Sequence, residues 1–101
     1  DAVQHPTSLA ELTSLVNDPA KLVIVDFGAT WCGPCQRIAP LYASLAAEMP
    51  GVVFVKVDVD EIEDAAAAFD VQALPTFVLF RDGEEVARFS GASEETLRQT
   101  L

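Results

Sequence analysis

The chain has 101 residues, 50% of them hydrophobic, which suits one compact domain over 1–101 with a single buried core. Its formal net charge of −10, from 16 acidic and 6 basic residues, argues against a nucleic-acid partner, whose phosphates need a basic face. No apolar run approaches the roughly 18 residues of a membrane-spanning helix, so no membrane role is expected. Two cysteines are too few for a disulfide-stapled secreted scaffold.

In chain order, Asp1 in place of Met points to an upstream segment removed, and Ala2-Val3-Gln4 forms a short edge strand stopped by Pro6. His5, the only histidine, reads as a solvated loop residue, because no partners stand at metal-ligand spacing. Ser8 and Glu11 make a capping box for a first helix whose apolar stripe is Leu9, Leu12, Leu15 and Val16. Asn17-Asp18-Pro19 ends it. Lys21 to Phe27 is the central strand, and its unalternated Leu22-Val23-Ile24-Val25 suits burial on both faces. A second helix runs from about Pro34 to Met49, kinked at Pro40 and stopped by Pro50-Gly51. Val52 to Val57 is a second buried strand, parallel to the first through a right-handed crossover.

Asp60 is placed to cap a third helix over Glu61 to Phe69, rich in the alanines 65–68. The acids Asp58, Asp60, Glu61, Glu63 and Asp64 read as solvated surface rather than a metal cluster. Thr76 to Arg81 and Glu85 to Ser90 form a hairpin around Asp82-Gly83. Ser93 caps a last helix from Glu94 that turns Leu97 and Leu101 inward. That helix stops abruptly, so a natural C-terminus beyond Leu101 is expected. The order βαβαβαββα predicts an α/β fold, a mixed sheet of about five strands with about four helices on its two faces.

The cysteines stand where the buried strand hands over to a helix N-terminus. Unpaired N–H groups and the positive end of the helix dipole favour a thiolate at Cys32, the expected nucleophile, exposed at the turn. Gly33 allows an open backbone, and Pro34 fits the first turn of the helix. Cys35, three residues on, faces the same side and can close a small disulfide ring. The bland alternative is half of a zinc or iron–sulfur site, but no second Cys-x-x-Cys and no His-x-x-x-His completes one. Asp26 ends an otherwise apolar strand, so burial should raise its pKa. Lys56, among Val52 to Val57, has snorkelling to the sheet's end as its plainest role.

The run Asp26-Phe27-Gly28-Ala29-Thr30-Trp31-Cys32-Gly33-Pro34-Cys35 resembles the active-site pattern of the thioredoxin family. The resemblance continues through Lys56-Val57-Asp58-Val59-Asp60, Val71 to Phe77, Arg81-Asp82-Gly83 and Phe89-Ser90-Gly91-Ala92, and covers nearly the whole chain. Val57 to Asp60 and Ser90 to Ala92 are more similar to the eukaryotic cytosolic type. The resemblance implies a thioredoxin fold and a disulfide reductase in which Cys32 attacks, Cys35 resolves and Asp26 moves protons to and from Cys35. It implies pairing of Lys56 with Asp26 and a cis Leu74–Pro75 bond that leaves the Leu74 backbone free for an extended client. Trp31, Gly33, Pro34, Leu74, Gly91 and Ala92 are then expected to form an apolar docking surface. Gly28 departs from the tryptophan common in the family, and Gln36 replaces a common lysine, which makes Cys32 slightly less acidic.

No organic cofactor and no metal is implied, because the cysteine pair carries the two electrons. The partners expected are disulfide-containing client proteins and a thioredoxin reductase, either an NADPH-dependent flavoenzyme or a ferredoxin-linked one. A monomer in the cytoplasm is expected, or in an organelle if an upstream targeting segment was removed. Two alternatives stand beside this reading: a non-catalytic binding module of a larger protein, and a dimer pooling its cysteines around a metal cluster.

Overall fold

The apolar run at Leu22 becomes the middle of a sheet in a computed structural model, which describes residues 2–101. In chain order the elements are β1 (Val3–Gln4), α1 (Leu9–Val16), β2 (Leu22–Gly28), α2 (Gly33–Glu48), β3 (Val52–Asp58), α3 (Ala65–Ala68), β4 (Thr76–Arg81), β5 (Glu84–Ser90) and α4 (Glu94–Thr100). The sheet order is β1-β3-β2-β4-β5. β3 lies parallel to β2 and to β1, while β4 runs antiparallel to both β2 and β5. The expected mixed α/β sheet is thus the observed one.

The two-residue period of β2 divides the core into two layers. Val23, Val25 and Phe27 face Leu12 and Val16 of α1 together with Ile62 and Ala65. Ile24 faces Ile38, Tyr42 and Leu45 of α2 and Leu97 of α4. By the same alternation Asp26 and Gly28 point to the α2 side, so an acid enters the layer that the cysteine helix covers. α2 runs unbroken through Pro40 and closes with Met49 N–H on the Leu45 carbonyl at 2.9 Å. Tyr42 ties this helix to the sheet: its hydroxyl donates to the carbonyls of Val55 (2.7 Å) and Ile24 (3.1 Å), and its ring packs on Phe54 and Phe77.

Two local expectations change, and the inward turn of Leu101 holds. The capping box is half made. Ser8 Oγ accepts from Glu11 N–H at 3.2 Å, but the Glu11 carboxylate turns to Thr7, accepting from its backbone N–H at 3.1 Å. The third helix spans only Ala65–Ala68 and is not capped by Asp60. Asp58 is the reason. Its carboxylate accepts from Asp60 N–H (2.9 Å) and its carbonyl from Glu61 (3.1 Å) and Ile62 N–H (3.0 Å), so this stretch is spent on turns. Leu101 lies just past α4 and packs, half-buried, against the α2-side core.

The hairpin turn has positive φ at both central residues, Asp82 (54°) and Gly83 (79°), the form that matches strand twist. Glycine suits 83, where φ is positive and a Cβ would push the Asn17 side chain aside. Beyond the turn Phe80 pairs with Glu85 and Leu79 with Ala87, so Val86 is bulged out of the ladder and 55% exposed.

Removing the Tyr42 hydroxyl while keeping its ring tests the tie between α2 and the sheet. Tyr42→Phe should lower unfolding stability by about 1–2 kcal/mol, read as a lower urea midpoint at unchanged slope.

Candidate active site

β2 ends at Gly28, and after the three residues 29–31 Cys32 stands as the N-cap of α2. At φ −83° and ψ 109°, Cys32 aims its sulfur back over the first turn, where Sγ accepts from Cys35 N–H at 3.2 Å. The helix start therefore solvates this sulfur with its own unpaired donor. Cys32 and Cys35 are joined as a disulfide with Cα atoms 5.3 Å apart. Cys32 is 5% exposed and Cys35 1%, so the open exposure expected of Cys32 is corrected to a narrow opening. Ala29, Val59 and Leu74 pack against the pair. Gln36 Nε2 donates to the Thr30 carbonyl, pinning that loop to the first turn of α2.

In front of Cys32 lies a groove of about 560 Å³, lined by Trp31, Gly33 and Pro34 on one side and Val71 to Leu74 on the other. Trp31 is 70% exposed and held upright by Nε1 donating to Asp60 Oδ2 at 2.7 Å. Asp60, expected as a helix cap, is thus a support for the groove's aromatic rim. The Leu74–Pro75 peptide bond is cis. Gly91 N–H donates to the Pro75 carbonyl at 2.9 Å, which brings Gly91 and Ala92 beside the proline. They do not line the groove, whereas Trp31, Gly33, Pro34 and Leu74 do. Sequence reasoning missed Val59, Ala66, Val71, Gln72 and Ala73 on its walls. Only Val71 to Ala73 carried a clue, since they lead directly into Leu74.

Behind the cysteines is a second chemistry. Asp26 is fully buried, and parallel register sets it opposite Lys56 of β3. Lys56 Nζ lies 3.4 Å from Asp26 Oδ2, with its side chain 32% exposed. The lysine therefore does both things expected of it: it reaches water along its stem and pairs with the acid. Asp26 Oδ1 has no hydrogen-bond partner. Burial holds the Asp26 carboxyl above its ordinary value, and the Lys56 ammonium pulls it only part of the way back.

Gly28 explains how acid and thiol share this space. A Cβ here would stand 3.2 Å from Cys35 Sγ and 3.7 Å from Asp26 Oδ1. Its absence opens a pocket of about 240 Å³ lined by Gly28, Cys35, Lys56 and Asp58, among others. The bare oxygen of Asp26 and the buried sulfur of Cys35 flank one small gap. Among the described residues, no group of three or more His, Cys, Asp and Glu side chains is placed to hold a metal ion.

Comparison with known proteins gives a consistent answer. The thioredoxin family model matches residues 3–101. Thioredoxin H-type 1 of Nicotiana tabacum is 56% identical over 81 residues, covering 80% of this chain and 64% of the tobacco protein's length. Human thioredoxin is 42% identical over 99 residues, covering 98% of this chain and 92% of the human one. The crystal structure of Fasciola hepatica thioredoxin superposes with a TM-score of 0.92 at 52% identity, over 96% of this chain and 94% of that one.

The state of Asp26 has a stability consequence of definite sign. Because its folded pKa exceeds the unfolded one, the folded chain holds this proton more tightly. The contribution of Asp26 to stability is therefore most favourable in acid and falls as pH climbs from the unfolded value through the folded one. Asp26→Ala should be more stable than the parent at pH 7 by about 1–3 kcal/mol, the cost of a buried, half-satisfied carboxylate. The gap should close as pH falls towards the ordinary value of 3.8, as read by urea unfolding across the range. A variant less stable at pH 7 would contradict this account.

Proposed function

The chain belongs to the thioredoxin family, and from that premise we propose that residues 1–101 form one thioredoxin domain working as a general protein-disulfide reductant. It is a thiol–disulfide oxidoreductase whose electron carrier is its own cysteine pair, with no organic cofactor. Members of this family act on disulfide-containing proteins and are recharged by a reductase.

The reaction begins from the dithiol. The Cys32 thiolate, stabilised at the start of α2, attacks one sulfur of the client's disulfide and expels the other as a thiolate. A mixed disulfide now joins Cys32 to the client. Cys35 gives its proton to Asp26, and its thiolate attacks Cys32 Sγ. The Cys32–Cys35 disulfide closes and the client leaves with two electrons and, in all, two protons. Asp26 suits this step because its carboxyl is held up by burial and its free oxygen faces Cys35 across the gap at Gly28. Lys56 moderates that rise from the solvent side. The client lies extended in the groove, with Trp31, Gly33 and Pro34 against one side and the Leu74 backbone beside Pro75 pairing with it. Gly91 and Ala92 extend the contact beyond the proline.

The observation that carries this reading is one small space shared by Cys35 Sγ and an unpartnered, buried carboxyl oxygen, directly behind a cysteine that caps a helix. Recharging falls to an NADPH-dependent flavoenzyme or a ferredoxin-linked reductase. The protein works as a monomer in the cytoplasm; its two cysteines, one redox pair with no structural staple, fit a reducing compartment.

Two measurements test this. Equilibrated against redox buffers, the Cys32–Cys35 pair should have a reduction potential near roughly −270 mV, the range of cytosolic reductants. A value of about −180 to −120 mV would make the protein an oxidase or isomerase instead. In stopped-flow reduction of a protein disulfide at pH 7, Asp26→Ala should be slower by about 100-fold, the lower end of what a positioned proton-transfer group contributes. An unchanged rate would remove Asp26 from the mechanism.

A further inference from the structure

Arg88 sits on the edge strand β5, and the exchange chemistry makes no use of it. Its guanidinium is nonetheless committed on two sides. Nε and Nη2 donate to the two carboxylate oxygens of Glu85, each at 2.8 Å. Nη1 donates to the Asp70 carbonyl at 2.9 Å and Nη2 to the Phe69 carbonyl at 2.7 Å. The second pair reaches across to the end of α3.

That end is built to need such a partner. Val71 N–H returns to the Ala66 carbonyl (2.8 Å) and Asp70 N–H to Ala67 (3.3 Å), the double closure of a helix that ends in a left-handed residue. The left-handed position, usually glycine, is Asp70 at φ 53°. This closure uses the carbonyls of Ala66 and Ala67 and leaves those of Phe69 and Asp70 pointing outward. Arg88 takes both. The Phe69 ring is already wedged between Phe27 and Phe80, with centroids 5.5 and 5.8 Å away, so the helix is seated on the core without the arginine. What Arg88 adds is the direction in which the chain leaves α3, and the next residues are Val71, Gln72, Ala73 and Leu74, one wall of the groove before Cys32.

We propose that Arg88 is a positioning residue for client binding: by clamping the Phe69 and Asp70 carbonyls, it holds Val71 to Leu74 as a preformed wall, so that a docking polypeptide does not have to order it. The inference rests on reading that groove as the client site. The clamp depends on geometry as well as charge, because a planar fork held by Glu85 on one edge can meet two carbonyls on the other. A lysine ammonium in its place offers one nitrogen and no fork.

The test compares Arg88→Ala, Arg88→Lys and Leu74→Asp with the parent, using a protein disulfide (insulin) and a small one, 5,5′-dithiobis(2-nitrobenzoic acid), which is too small to span the groove. Both Arg88 variants should raise KM for insulin by about five- to ten-fold, as expected when one wall must be ordered on binding. Their kcat should stay within about two-fold of the parent, and the rate with the small disulfide should be unchanged. If Leu74→Asp raises the insulin KM and Arg88→Ala does not, the clamp is wrong and the groove reading stands. If neither raises it, the groove reading falls and takes the clamp with it. A parallel loss on both substrates, together with a lowered thermal midpoint, would make Arg88 merely structural. Full recovery in Arg88→Lys would show that charge alone suffices and overturn the fork.

Discussion

The residue-for-residue alignment of β2 with β3 is the constraint on which the rest depends. It sets Asp26 opposite Lys56 on the layer that α2 covers, and it delivers Gly28 and Asp58 together at the strand ends. Were the register to slip by one residue, Asp26 would pair with Val55 or Val57, and its carboxyl would lose its pairing with the Lys56 ammonium. The apolar residues on both faces of β2 forbid that slip, since each fits a layer of side chains already filled from α1 or α2. Hydrophobic packing thus fixes the environment of a single acid to within a hydrogen-bond length.

The cysteine pair then divides two environments. Towards the solvent, Cys32 meets a groove made of an aromatic rim, a glycine and a loop that ends in a cis-proline. Towards the core, Cys35 lines a small pocket with Gly28 and the partly exposed Lys56, and the buried Asp26 lies across the gap at Gly28. The outer sulfur faces the groove, and the inner one lies beside the gap left at Gly28. The helix start between them serves both, by stabilising the outer sulfur and turning the inner one under the sheet's end.

Much of this was legible in the sequence because the signals are local. The strand-to-helix handover at Asp26 to Cys35, the unalternated run before it and the Asp82-Gly83 hairpin each lie within a few residues of what they predict. The third helix was overestimated because propensity favoured it, while the competing hydrogen bonds from Asp58 depend on where β3 ends. Whether Lys56 reached water or Asp26 could be decided only by strand register. The support of Trp31 by Asp60 and the grip of Arg88 on Phe69 and Asp70 join residues 29, 19 and 18 positions apart, and no spacing rule reports such meetings. Gly28 was noticed for what it lacks, but its purpose appears only once Cys35 and Asp26 are seen on either side of it.

The bulge at Val86 bears on how such a molecule behaves among copies of itself. An open sheet has two rims whose unpaired amides and carbonyls can template the addition of a foreign strand. Here one rim is β1, only two residues long. The other is β5, whose ladder geometry is broken where Val86 stands out of line and whose flanks carry Glu84, Glu85 and Arg88. Neither rim offers an uninterrupted row to copy. Edges of this kind are poor templates for a strand from another chain or from a second copy.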